Sequence, residues 1–141
     1  MLSRPVSEMI RGQVPLTAPP GATVREASQR MAERYVGSVL VTDEAGRLLG
    51  IFTERDAVCR VLATSRDADA TTLAEVMTTK VATIRPRATA MDALRMMQDG
   101  GFRHVPVVEA DQALGVVSWT DFRGREYARL EDESALWAVV R

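Results

Sequence analysis

The chain of 141 residues has one cysteine, one histidine and one lysine. With Cys59 alone, no disulfide can close within the chain and no thiolate metal cluster can form. With His104 alone, a zinc site has too few imidazole and thiolate ligands. A nucleophilic triad would need that same histidine as its base. No general base with an identifiable partner is legible, so an enzymatic reading is the weakest one open. Long apolar runs are missing too: residues 36–41 and 135–140 fall far short of the roughly 20 that a membrane-spanning helix needs. The opening MLSRPVSEMIRG lacks the apolar segment of a secretory signal. The expectation is a cytoplasmic protein with no membrane association. A net charge of −1 offers no broad basic surface for a nucleic-acid backbone. Apart from Lys80, arginine supplies all the positive charge. Coding bias explains that, and bidentate gripping of phosphates is the functional alternative.

Apolar residues make up 46% and charged residues 26%, the balance of a globular chain rather than a disordered one. The sequence is written twice. PPGATVREASQRMAERYVGSVLV (19–41) aligns without a gap to RPRATAMDALRMMQDGGFRHVPV (85–107). One residue is lost in the turn that follows, TDEAGRLLG (42–50) against VEADQALG (108–115). GIFTERD (50–56) then falls on GVVSWTD (115–121), and upstream SEMI (7–10) echoes AEVM (74–77).

Each copy predicts the order β-α-β-β-α. Short strands are expected at 14–17 and 81–84, and hairpins at 38–42 with 48–53 and at 104–108 with 114–118. Helical spacing places Val24, Ala27 and Met31 on one buried face, and Ala90, Ala93, Leu94 and Met97 on its counterpart. Thr23 and Thr89 are expected N-caps, with Glu26 and Asp92 three residues on as in a capping box. The first closing helix is expected to bury Ala57, Val58, Val61 and Leu62. The division is a first repeat at 6–64, a surface linker at 65–72, a second repeat at 73–130 and an apolar tail at 131–141. In that tail Leu136, Trp137, Val139 and Val140 are expected to pack on the body or on a partner subunit. A unit of about 60 residues is marginal alone. The expected fold is therefore α/β of the α+β kind, two βαββα repeats packed sheet to sheet about a pseudo-two-fold axis.

Two readings fit the repeated corner Thr53–Asp56 and Ser118–Asp121. In one, each hydroxyl caps a helix and each aspartate reaches back, a local device worth about 1 kcal/mol. In the other, the two corners floor two clefts that offer amides for a phosphate and a carboxylate for a ribose diol. Arg55 and Arg103 would then neutralise phosphate charge. Trp119 either stacks on a base, fills a pocket or covers the core. His104 is either a cleft residue or a satisfied, half-buried one.

GIFTERD and GVVSWTD match the pattern Gly–apolar–x–Ser/Thr–x–x–Asp. With FRHVPVVE (102–109) and VGSVLVTDEAG (36–46), they make the chain resemble a tandem CBS-domain pair, or Bateman module, over most of its length. The resemblance implies a regulatory module that binds adenosine derivatives such as AMP, ADP or ATP between the repeats, without catalysis and with no required cofactor. It implies that Asp56 and Asp121 hold ribose hydroxyls and that Thr53 and Ser118 contact ribose or phosphate. Thr17 and Thr83 would lie beside the base or sugar, and Ser38 and His104 would line the clefts. The expected form is a stand-alone homodimer acting on a separate, unidentified protein partner. The alternative is a structural or oligomerisation protein whose clefts stay empty.

Overall fold

The computed structural model describes residues 2–140, and the side chains of residues 2–138. The first repeat runs α1 (Val6–Met9), β1 (Thr17–Ala18), α2 (Val24–Arg34), β2 (Ser38–Thr42), β3 (Leu48–Thr53) and α3 (Glu54–Asp56). A π-helical stretch, Ala57–Leu62, continues α3. The second repeat runs α4 (Leu73–Val76), α5 (Ala90–Gly100), β4 (His104–Glu109), β5 (Gln112–Ser118), a 3-10 turn (Trp119–Asp121) and α6 (Gly124–Val140).

Local chemistry sets these boundaries. Thr23 Oγ1 accepts from the Glu26 amide at 3.1 Å while Glu26 reaches back to the Thr23 amide at 3.3 Å. Thr89 and Asp92 repeat the arrangement at 3.2 and 2.9 Å. Both boxes satisfy amides that a helix start leaves orphaned. At the far ends, α2 stops on Tyr35 and α5 on Gly101, each left-handed at φ 54° and 70°. The buried faces are those the spacing predicts, Val24, Ala27 and Met31 in α2 and Ala90, Ala93, Leu94 and Met97 in α5, with Met91 added.

Two small sheets result. β1 pairs parallel with β2, and β2 pairs antiparallel with β3. β4 pairs antiparallel with β5, and the counterpart of β1 is reduced to a single parallel bridge, Ile84 to Val107. Both first strands are thus shorter than expected. Each hairpin carries a bulge at the same place, after Val41 and after Val107. The turns differ: the first places Gly46 at φ 81°, while the second, one residue shorter, bends through Ala110 and Asp111 at φ 49° and 66°. The hairpins meet at these turns, where the Leu48 amide donates to Asp111 O (3.1 Å) and the Ala113 amide to Gly46 O (3.2 Å). That reciprocity is what a pseudo-two-fold axis imposes.

The leading helices are exchanged. Val6 of α1 is buried in the second repeat's core with Met91, Leu94 and Val105. Leu73 and Val76 of α4 are buried in the first repeat's core with Val24, Met31 and Phe52. The backbone locks both in place: the Val6 amide donates to Ala88 O at 2.8 Å, and the Leu73 amide to Ala22 O at 2.9 Å. Each core therefore closes with a helix that the sequence attaches to the other repeat.

One expectation about packing needs correction. Val58 and Leu62 are 55% and 72% exposed, and of the π-helical stretch only Val61 is buried. A π-helix turns more slowly per residue than the 3.6-residue spacing assumed for that face. The segment at 65–72 runs along the surface and is pinned to the first repeat: Ala68 O accepts from the Arg25 amide at 3.1 Å, Thr71 is buried, and Asp69 takes the Arg25 guanidinium at 2.9 Å. The tail is the second half of α6. It docks on α5 through Arg95 and Glu133 at 2.8 Å, while Leu136 and Trp137 stay 65% and 67% exposed on this chain. The Val139 and Val140 side chains and residue 141 lie outside the described set.

Candidate functional site

The corner at the end of β3 satisfies itself first. The Thr53 amide and hydroxyl both donate to Asp56 Oδ2, at 3.0 and 3.1 Å, and the Asp56 amide donates to Thr53 Oγ1 at 3.3 Å. Arg60 approaches Asp56 Oδ1 at 3.6 Å and is itself anchored on Val76 O at 2.9 Å. The capping reading is thus realised. It leaves Oδ1 as the oxygen with capacity for a further donor.

Beside this corner lies a cavity of about 480 Å³. Thr53, Glu54, Arg55 and Asp56 line it from the first repeat, and Thr78, Lys80, Val81, Ala82, Phe102, Arg103 and His104 from the second. The two sides are stitched by an antiparallel bridge in which the Ile51 amide donates to Thr78 O (3.0 Å) and the Thr78 amide to Ile51 O (2.9 Å). Gly50 is what permits this approach. A Cβ there would stand 2.7 Å from Thr78 O and 2.8 Å from Met77 Sδ. Gly115 does the same for the other repeat, where a Cβ would meet Gln13 Oε1 at 2.7 Å. The glycine that opens each heptapeptide thus lets the neighbouring repeat's connecting segment cross the sheet.

His104 pairs with Ser118 across the β4–β5 ladder and faces the same cavity. Burial holds its pKa below the ordinary histidine value; Glu54 and Asp121 oppose that shift and Arg103 adds to it. The imidazole is therefore neutral at pH 7. Gly37 makes room for Glu54, whose Oε1 occupies the place a Gly37 Cβ would take, with His104 Nε2 3.1 Å from that point. Arg103 lies over the Trp119 ring, 5.6 Å from its centroid.

The second corner is built alike but surrounded differently. The Ser118 amide donates to Asp121 Oδ2 at 2.7 Å, and Arg4 donates to Asp121 O at 2.9 Å. In place of the Ile51–Thr78 bridge, the Gln13 side chain pairs with the Val116 backbone, donating to its carbonyl at 3.0 Å and accepting from its amide at 2.7 Å. Trp119 packs against the second core, its ring 5.3 Å from Tyr127 and tilted 48°. Of the three readings for Trp119, covering the core is the one the geometry matches.

The cleft thus gathers Thr53, Arg55, Asp56, Arg103 and His104. Ser38 is buried and paired with Thr53 across the β2–β3 ladder. Thr17 and Thr83 line separate hollows, one against Pro19 and Thr42 and one against Leu48 and Asp111. Ser118 and Asp121 belong to the other corner. Sequence reasoning missed Thr78, Lys80, Val81, Ala82 and Phe102. The available signal was the paired heptapeptide glycines, which mark a backbone crossing. Among the described residues no group of three or more His, Cys, Asp or Glu could hold a metal ion, and no helix is long and apolar enough to cross a membrane.

The sequence model of the CBS domain matches this chain twice, at residues 6–62 and 73–126. The chain belongs to the CBS-domain family. Among its relatives is the CBS domain-containing protein CBSCBSPB3 of Arabidopsis thaliana, 38% identical over 89% of this chain and 23% of that protein. This chain thus spans about a quarter of that relative's length. The CBS domain-containing protein YhcV of Bacillus subtilis is 31% identical over 85% of this chain and 84% of its own length. Among solved structures, the CBS domain protein PAE2072 of Pyrobaculum aerophilum, complexed with AMP, superimposes with a TM-score of 0.80. It is 26% identical and matches 91% of this chain and 98% of its own. The fold is accordingly that of a CBS pair.

Proposed function

We propose that this CBS pair is a regulatory module that takes an adenosine derivative in the cleft at the Thr53–Asp56 corner and performs no chemistry on it. The observation that carries this is the cavity of about 480 Å³ shared by the two repeats, with two carboxylates, three cations and an apolar wall. Its volume falls in the range of roughly 300–1,000 Å³ typical of small-molecule sites. In this reading Asp56 Oδ1 accepts a ribose hydroxyl and Thr53 lies beside the sugar. Val81, Ala82 and Phe102 face the base, and Arg55 and Arg103 face the phosphate. The AMP complex of the Pyrobaculum protein supports that ligand class.

Because the lining comes from both repeats, a ligand that prefers one arrangement of the repeats would shift their relative position. That shift would be read by a separate protein or by a second copy of the chain in the cytoplasm. For a homodimer, the exposed Leu136 and Trp137 supply an apolar surface. Removing residues 134–141 and measuring mass in solution tests that surface. A dimer unchanged by the truncation places the contact elsewhere.

One observation favours a structural role instead: the corner's hydrogen bonds close on themselves, so it needs no ligand to be satisfied. Thermal unfolding with adenosine, AMP, ADP, ATP and S-adenosylmethionine separates the two readings. Binding at a hundred times Kd adds about 2.7 kcal/mol, a rise of several degrees. The rise is expected to vanish in Asp56→Ala. No rise with any compound at millimolar concentration supports the structural role.

A further inference from the structure

The repeat gives the charged residues that line the first cleft sequence counterparts in the other half, and the charges do not match. Thr120 stands for Arg55, Gly37 for Arg103 and Ser38 for His104. The connecting segments differ by one residue, so Lys80 corresponds to Gln13 or Val14, and neither is charged. Arg4, which does approach the second corner, is committed to Glu126 at 2.9 Å. Arg103 is held over Trp119 and still lines the first cleft.

Within the first cleft the positive charge outweighs the negative. Lys80, Arg55 and Arg103 line it, against Glu54 and Asp56. Asp56 already has the Arg60 guanidinium at 3.6 Å, and Glu54 turns toward Gly37 and His104. Lys80 and Arg55 stand exposed on the lining, where an anion keeps part of its hydration and still gains two charge-assisted donors.

We propose that Lys80, with Arg55 on the same lining, makes the first cleft selective for the phosphorylated form of its nucleoside, so that each chain holds one phosphorylated nucleotide and not two. This rests on the adenosine reading above and adds to it which chemical form is taken and which side chain decides. Lysine supplies a mobile point charge rather than a planar fork. The selectivity is therefore for negative charge and tolerates more than one phosphate position.

Titration calorimetry of the full chain with AMP and with adenosine tests it. The wild type is expected to bind one AMP per chain and to prefer AMP to adenosine, with the preference eroding as salt is added. Lys80→Ala is expected to weaken AMP by about tenfold, the loss of one charged contact, and to leave adenosine unchanged. Lys80→Arg keeps the preference. Because Lys80 is exposed, the variant folds, and circular dichroism checks it. Equal loss of AMP and adenosine in Lys80→Ala, no loss of either, or two AMP per chain overturns the proposal. If neither compound binds the wild type, the adenosine reading fails, and pyrophosphate then tests the cation site alone. Pyrophosphate binding that disappears in Lys80→Ala upholds the charge assignment; its absence in the wild type overturns it.

Discussion

His104 is the side chain whose surroundings most directly couple protonation to the fold. Burial depresses its pKa in the folded chain, so the unfolded chain binds the extra proton first as pH falls. The neutral imidazole contributes its full stability above the unfolded value of about 6.5. That contribution is lost as pH drops through the folded value beneath it. Denaturant titrations at pH 7.5 and 5.5 should therefore show a larger loss for the wild type than for His104→Asn. Equal losses would mean the imidazole is not buried as described. Arg4 is a second case, with the opposite dependence on a partner. Burial alone would raise the Glu126 carboxyl, but the Arg4 guanidinium and the Arg123 amide outweigh it and hold the pKa below the usual glutamate range. Arg4→Ala leaves that buried carboxylate short of a donor and should cost about 2 kcal/mol at pH 7. The loss should shrink below about pH 4.5, as the contribution present above the unfolded pKa disappears through the lower folded one.

Among the elements, the two long helices are near-duplicates with different endings. Gly101 closes α5 in the left-handed region, while α2 uses Tyr35, 96% exposed, at φ 54°. A side chain with a Cβ costs roughly 1–2 kcal/mol there. Tyr35→Gly is expected to raise stability by about 1 kcal/mol, measured by chemical denaturation. A loss of stability would reveal a contact that the ring makes. The capping boxes at Thr23 and Thr89, both hairpins and the buried faces of α2 and α5 were legible because each depends on spacing within one element. The face of the closing helix was not. A π-helical register cannot be told from an α-helical one by where Val58 and Leu62 fall, and both are exposed.

For the whole molecule, the exchange of α1 and α4 decides whether either half can stand alone. Val6 is fully buried in the second core and Leu73 in the first. Leu73→Ala should destabilise the chain by about 2–5 kcal/mol, with the damage in the first repeat although the residue follows it in sequence. Fragments 1–64 and 65–141 should each be unfolded in isolation and regain structure when mixed. A first fragment that folds alone would show the exchange to be dispensable. Nothing in Val6 or Leu73 marks the core each joins, because that depends on the path of 10–16 and 77–83 through space. The same path brings Lys80 and Thr78 to the cleft, so the corner residues were legible from the repeat and the opposite wall was not. The halves share their cores, and the cleft is a product of that sharing.

The most direct test is a two-dimensional amide NMR titration of the full chain with AMP. Binding at the shared cleft predicts that resonances of residues 53–56 and of residues 78–82 and 102–104 shift together along one saturation curve. Shifts confined to one repeat, or none at millimolar AMP, would contradict it.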